Sequence, residues 1–246
     1  MTDFEPRIAL ASLSGESDAA WAKAGDAYAG LALLGGIALD EPTREAARQS
    51  VEDRDRTEFL PEDPFAFVGN ELERAMDASL DVGFNVRAVS PEPIERAARV
   101  CAERNAWLEV NAHCRQVEMC AAGAGESLLT DSERLCEFVR AAKSAGATTS
   151  VKVRAEVDGV DLPRLARDLE AAGADALHVD AMDSEGVVQE IRDAVDCFLI
   201  ANNGVRDERT VAEYLDYGAD AVSVGRPSDD PRVLEPVHDA VQGWEE

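Results

Sequence analysis

Lysine is almost missing from this sequence: only Lys23, Lys143 and Lys152 occur in 246 residues, and arginine supplies the other basic side chains. Binding a phosphate backbone requires local clusters of Lys and Arg, and none stands out. A nucleic-acid partner is therefore disfavoured. Paired cysteines are missing too. Cys101, Cys114, Cys120, Cys136 and Cys197 are odd in number and lack metal-ligand spacing, so neither a disulfide framework nor a metal site is expected. No basic start followed by an apolar run opens the sequence, which argues against a secretory signal. The longest apolar tract, Ala27–Leu39, is too short and glycine-rich to span a bilayer. These absences together point to a reducing cytoplasm and no membrane partner.

Acid, by contrast, is abundant. Fifty Asp and Glu face 24 Lys and Arg, a formal charge of −26 spread along the whole length. That distribution reads as a solvated acidic surface of the kind that stays soluble in concentrated salt, rather than as an acidic tail. Against this background a lysine kept inside the apolar run SVKVR (150–154) is conspicuous. Buried, Lys152 needs an anion or an electron-rich cofactor beside it, or it serves as a Schiff-base amine.

The length and the 46% hydrophobic content suffice for one core. Short β-like runs alternate with amphipathic helical stretches: strands at 7–12, within 30–39, and at 82–88, 107–111, 148–154, 174–180, 197–201 and 219–225. Helices are expected at 17–25, 65–80, 91–104, 131–145, 162–172, 185–195, 208–217 and 232–244, with Ser90 as the N-cap of the one that opens on Pro91. Residues 40–64, polar and interrupted by proline, read as a helix plus an irregular excursion. Gly146, Gly173 and Gly218 recur at three similar helix-to-strand junctions, as left-handed caps of one repeated unit. This pattern predicts a single (β/α)8 TIM barrel over 1–246 with no added C-terminal helical domain. The alternative, an open doubly wound sheet, lacks its dinucleotide fingerprint after the first strand.

In such a barrel the C-terminal strand ends share one mouth. They bring Ala11, Asn85, Asn111 with His113 and Cys114, Lys152 with Arg154, His178, Asn203 with Gly204, and Gly225 with Arg226. The two glycine turns follow the last two strands, the usual phosphate site of the fold. Cys114 sits in a polar corner and invites a thiolate reading, whereas the other cysteines read as inert. His178 reads equally well as a satisfied core histidine or as a ligand contact.

In their order along the sequence these strand ends resemble the dihydrouridine synthase family, related to dihydroorotate and dihydropyrimidine dehydrogenases. NAHC (111–114) followed by GAGESLL (123–129) is similar to the family's cysteine corner. VKVR (151–154), His178, Asn203-Gly204 and Gly225-Arg226 follow in the family's order. His113 and Arg115 stand where the family has glycine and proline. The resemblance implies an FMN-dependent oxidoreductase, with NADPH or NADH as electron donor and a small-molecule or nucleotide substrate bearing a pyrimidine-like C=C bond. It places the FMN phosphate on Asn203, Gly204, Gly225 and Arg226, with Ala11, Asn85, Lys152 and His178 also on the cofactor. Cys114 becomes the general acid, Asn111 holds the substrate ring, and His113 and Arg154 lie on the substrate side. A Schiff-base lyase, a phosphosugar isomerase or a non-catalytic flavin- or phosphate-binding barrel are the competing readings. The sequence carries no signal of oligomeric state.

Overall fold

Alternate residues of a β-strand point to opposite faces, so a strand buried on both sides offers one row to covering helices and the other to a barrel interior. The computed structural model of the protein describes residues 3–54 and 56–245; Asp55, within the expected excursion, lies outside them. Eight strands close into a barrel in sequence order. They are β1 (Ile8–Leu10), β2 (Leu31–Ala38), β3 (Asp81–Arg87), β4 (Trp107–Asn111), β5 (Thr148–Arg154), β6 (Ala176–Asp180), β7 (Phe198–Asn202) and β8 (Ala221–Val224). All neighbours are parallel, and β1 closes the circle against β8. The helices are α1 (Ala19–Ala24), α2 (Glu41–Arg54), α3 (Pro64–Ala75), α4 (Pro91–Ala102), α5 (Val117–Ala121), α6 (Ser132–Ser144), α7 (Leu162–Ala172), α8 (Val187–Arg192), α9 (Glu208–Asp216) and α10 (Pro231–Glu245). The expected barrel is observed, the open sheet is not, and the described residues hold no further helical domain.

The rows separate cleanly. Outward residues such as Val151, Val153, Leu177, Val179, Val222 and Val224 pack under the helices in the main core. Inward residues at the strand starts, Leu31, Leu33, Trp107, Ala176, Ile200 and Ala221, form a second core that Phe4 plugs from below, its ring 5.9 Å from that of Trp107. Above this apolar floor the inward row turns polar, with Asn85, Glu109, Ser150, Lys152, His178 and Ser223 all buried. Placing polar groups there fixes the reactive end of the barrel before any loop is considered.

Several boundaries differ from the sequence reading for local reasons. The helix expected to run to residue 80 stops at Ala75, because the Asp26 carboxylate accepts from the Ser79 N–H (2.7 Å), the Ser79 hydroxyl (2.8 Å) and the Leu80 N–H (3.0 Å) and holds that stretch as a turn. Ser90 has the extended backbone of an N-cap, but its side chain makes no capping bond; Pro91 alone sets the helix entry. Residues after the cysteine corner contain α5 and a 3₁₀ segment, Gly125–Thr130, neither of which is among the expected helices. Gly146, Gly173 and Gly218 do take left-handed conformations, with φ of 87°, 108° and 87°.

Candidate active site

Period-two alternation puts Glu109 and Asn111 of β4 on the same inward face, as it does Asn85 and Arg87 of β3, Ser150, Lys152 and Arg154 of β5, and His178 and Asp180 of β6. Parallel register then sets them side by side: Asn85 opposite Glu109, Asn111 opposite Lys152, Lys152 opposite His178. At the centre lies Glu109, which is fully buried. Its carboxylate receives His178 Nδ1 at 2.7 Å, Asn85 Nδ2 at 2.7 Å and the Ser150 hydroxyl at 3.4 Å. Burial opposes its charge, but the His178 ring, the Lys152 ammonium and the Asn85 amide hold the Glu109 carboxyl below the usual range.

Lys152 is 2% exposed, and its ammonium makes no hydrogen bond or ion pair with another described residue. Burial lowers its pKa, and Glu109 and Asp180 resist that shift. His178 is fully buried, with Nε2 2.7 Å from the Ser223 hydroxyl. Burial and the Lys152 charge push its pKa down, against the pull of Glu109. His113, on the loop beyond β4, is likewise driven well below 6.5, by burial and then by Lys152 and its other cationic neighbours. Its Nδ1 lies 3.8 Å from Asp180.

These shifts have a sign that stability measurements can read. A histidine whose folded pKa is lowered binds fewer protons folded than unfolded, so stability is complete above about pH 6.5 and falls as pH drops below it. Fully buried His178 contributes a slope of up to about 1.4 kcal/mol per pH unit. Urea unfolding is expected to show lower stability at pH 5.5 than at 7.5, and a flat profile over that range would contradict the lowered pKa of these buried histidines.

The cysteine corner is built by close approach. Asn111 Oδ1 accepts from the Cys114 N–H (3.1 Å) and the His113 N–H (3.4 Å), and the Cys114 carbonyl accepts from the Glu126 N–H at 2.9 Å. A β-carbon on Gly125, where φ is +63°, would fall 2.4 Å from that carbonyl. Gly125→Ala is therefore expected to displace the corner and to lower stability by at least about 1 kcal/mol, read as a fall in thermal midpoint of at least roughly 2–4 °C. Beneath the thiol, Arg87 is 1% exposed; it pairs with the buried Glu58 carboxylate and donates to the Gly36 carbonyl and to Gln116 Oε1 at 3.2 Å. Burial works against the Arg87 charge, and Glu58 and Cys114 together outweigh it. Glu58 comes from the irregular stretch after α2, so this cluster pins that stretch over the mouth. A cavity of about 270 Å³ opens there, lined by Ser12, Ser14, Arg56, Asn111, His113 and Cys114 among others.

The second half of the mouth is a cavity of about 410 Å³ between the loops after β7 and β8. Added β-carbons on Gly204 and Gly225 would meet nothing within 4 Å, and the N–H groups of Gly204, Gly225 and Arg226 donate to no other described residue. Asn203 has a φ of 95° and its Nδ2 donates to Asp180 Oδ1 at 2.9 Å. Open space in front of free N–H groups fits a phosphate. Arg226 is mostly exposed and rests on Glu16 at 2.8 Å.

Not every expected residue faces the mouth. Asn85 and His178, expected on the cofactor, are fully buried, and their polar atoms are engaged with Glu109, Asn111 and Ser223. Ala11 is 2% exposed and donates its N–H to the Val224 carbonyl, tying β1 to β8. Arg154 reaches the rim but is held by Glu126 at 2.8 Å. Glu109, Arg87, Glu58 and Gln116 were missed. For Glu109 and Arg87 the signal was present: a charged residue inside an apolar strand, two positions from a chosen asparagine, must share its face.

A family model described as dihydrouridine synthase (Dus) matches residues 71–245. An uncharacterized protein of Methanocaldococcus jannaschii is 27% identical over 239 residues, covering 92% of this chain and 90% of that protein. The tRNA-dihydrouridine synthase B of Xanthomonas axonopodis pv. citri is 25% identical over 159 residues, covering 59% of this chain and 48% of that relative, so the match spans about half of its length. DHODH from Eimeria tenella shares the fold, with a TM-score of 0.66 and 16% identity over 97% of this chain and 81% of that one. No helix among the described residues is long and apolar enough to cross a membrane. Because the family match runs from α3 to the end of α10, taking in six of the eight strands, the chain belongs to the dihydrouridine synthase family, flavin-dependent oxidoreductases that act on a carbon–carbon double bond.

Proposed function

We propose that the chain holds FMN at the barrel mouth and reduces or oxidises the C=C bond of a pyrimidine-like ring, with NADPH or NADH as electron donor. The observation that carries this reading is the pairing, at one end of one barrel, of an undonated glycine cradle with a buried and unpaired ammonium. Asn203, Gly204, Gly225 and Arg226 would take the phosphate, and Lys152 would face the electron-rich ring edge. When bound, the flavin supplies hydride transfer.

The protein's own groups do the rest. Lys152 would favour negative charge on a ring placed beside it, because its ammonium is buried and has no competing partner within hydrogen-bonding distance. Asn111, held between Asn85 and the Cys114 backbone, fixes the corner in which the thiol sits. Cys114 Sγ carries the proton to be delivered to the ring carbon, and Arg87 lies behind it as a fixed positive charge. The acidic composition and the scarcity of lysine favour a free nucleotide or base over tRNA.

The test is anaerobic. Protein reconstituted with FMN and reduced by NADPH or NADH is mixed with uridine monophosphate or with a tRNA transcript. Reoxidation by the small pyrimidine with formation of its dihydro product supports the reading; reoxidation by tRNA alone reverses the substrate assignment; reoxidation by neither removes the proposed chemistry.

A further inference from the structure

The polar layer above the apolar floor is directional. A carboxylate only accepts hydrogen bonds, so each group touching Glu109 must point a proton at it. On one side His178 Nδ1 therefore carries its hydrogen. The Ser223 oxygen at Nε2 already accepts a hydrogen bond from Asn202 Nδ2 at 2.7 Å, so its own hydroxyl hydrogen is available for Nε2 as acceptor. On the other side Asn85 Nδ2 donates to Glu109, which turns Asn85 Oδ1 toward Asn111. Asn111 Nδ2 donates there at 2.8 Å, and this leaves Asn111 Oδ1 as the acceptor for the Cys114 and His113 N–H groups. Two rows of donors thus run inward, one from the end of β7 beside the glycine cradle, the other from the cysteine corner, and both end on one side chain.

We propose that Glu109 is the positioning residue of the site: by accepting from both rows it fixes the tautomer of His178 and the amide orientations of Asn85 and Asn111, and through Asn111 it holds the loop that carries Cys114. Glu109 touches no solvent and lines no part of the mouth, so its effect passes through these neighbours. The alternation of the strands explains why it can do so. It is the inward residue immediately below Asn111, in register with Asn85 of β3 and Ser150 of β5 and within hydrogen-bonding distance of His178, which reaches down from the next layer of β6. Its negative charge also faces the Lys152 ammonium across the interior. The consequence for catalysis rests on the flavin reading; the polarity of the two rows does not.

Replacing Glu109 by Gln keeps the shape but turns an amino group toward one of the two donors. Either His178 must move its proton to Nε2, against the Ser223 hydroxyl, or Asn85 and then Asn111 must flip and present N–H₂ to the Cys114 N–H. The experiment is nitrogen NMR of ¹⁵N-histidine protein without flavin, assisted by there being only three histidines, together with the rate of Cys114 alkylation by iodoacetamide. Wild type is expected to show His178 in the Nδ1–H form. E109Q is expected to lose that form or to change the alkylation rate at least tenfold, while E109D, still acceptor-only, keeps both close to wild type.

Three results would overturn the proposal: an Nε2–H tautomer in wild type, retention of both readouts in E109Q, or an E109D that behaves as E109Q does. The wild-type spectrum decides even if a variant fails to fold. Failure of the same wild-type protein to take up FMN would instead overturn the functional reading and leave the tautomer result standing.

Discussion

A Cys114→Ala variant is expected to keep its flavin and its reduction by NADPH or NADH, while losing about 10²–10⁴-fold in the half-reaction with the pyrimidine, the usual worth of a positioned proton donor. The loss should be confined to that step because Cys114 is the cysteine at the mouth, where a substrate carbon can reach it. The remaining four cysteines cannot substitute. Burial pushes the Cys101 and Cys197 thiols up to about 12, and raises those of Cys120 and Cys136 as well. Stopped-flow measurement of the two half-reactions separates the outcomes. Equal slowing of both would mean that the corner had collapsed, and no slowing of either would remove Cys114 from the chemistry.

Lys152→Met carries the second large effect. The ammonium is the buried cation that balances Glu109, and it has no hydrogen-bonding partner of its own. Removing it is expected to weaken FMN binding by about 10–100-fold, the worth of one charged hydrogen bond at 1.5–3 kcal/mol. It should also lower the flavin midpoint potential by roughly 30–60 mV, since 30 mV corresponds to about 1.4 kcal/mol for two electrons. Lys152→Arg should not rescue either property, because a planar guanidinium needs more space and more acceptors than this position gives. That expectation accounts for a lysine persisting here in a sequence that otherwise uses arginine. Wild-type affinity and potential in the methionine variant would show that Lys152 does not face the ring.

The barrel was legible because its signals are local and repeated. Gly146, Gly173 and Gly218 mark the same junction three times, and β4, β5 and α7 begin and end where their hydrophobic patterns do. Positions at the strand ends were legible too, since strand direction alone puts Asn111, Lys152, Gly204 and Gly225 at one mouth. Which of them face a ligand was not legible. Asn85 and His178 are polar residues at strand ends, but their partners, Glu109, Asn111 and Ser223, lie on other strands and become neighbours only through register. Glu58 is harder still. It reaches Arg87 from an irregular stretch with no periodicity to follow, and only closure of the tertiary structure brings that pair together.

The functional reading depends on the turns after β7 and β8 holding the phosphate of a flavin whose ring then lies over Lys152. Titration of flavin-free protein with FMN and with riboflavin, which lacks only the phosphate, tests this most directly. One FMN per chain, bound at least about 100-fold more tightly than riboflavin, is the predicted result, since charged hydrogen bonds are worth about 1.5–3 kcal/mol each. Equal affinities for the two, or no binding of FMN, would contradict it.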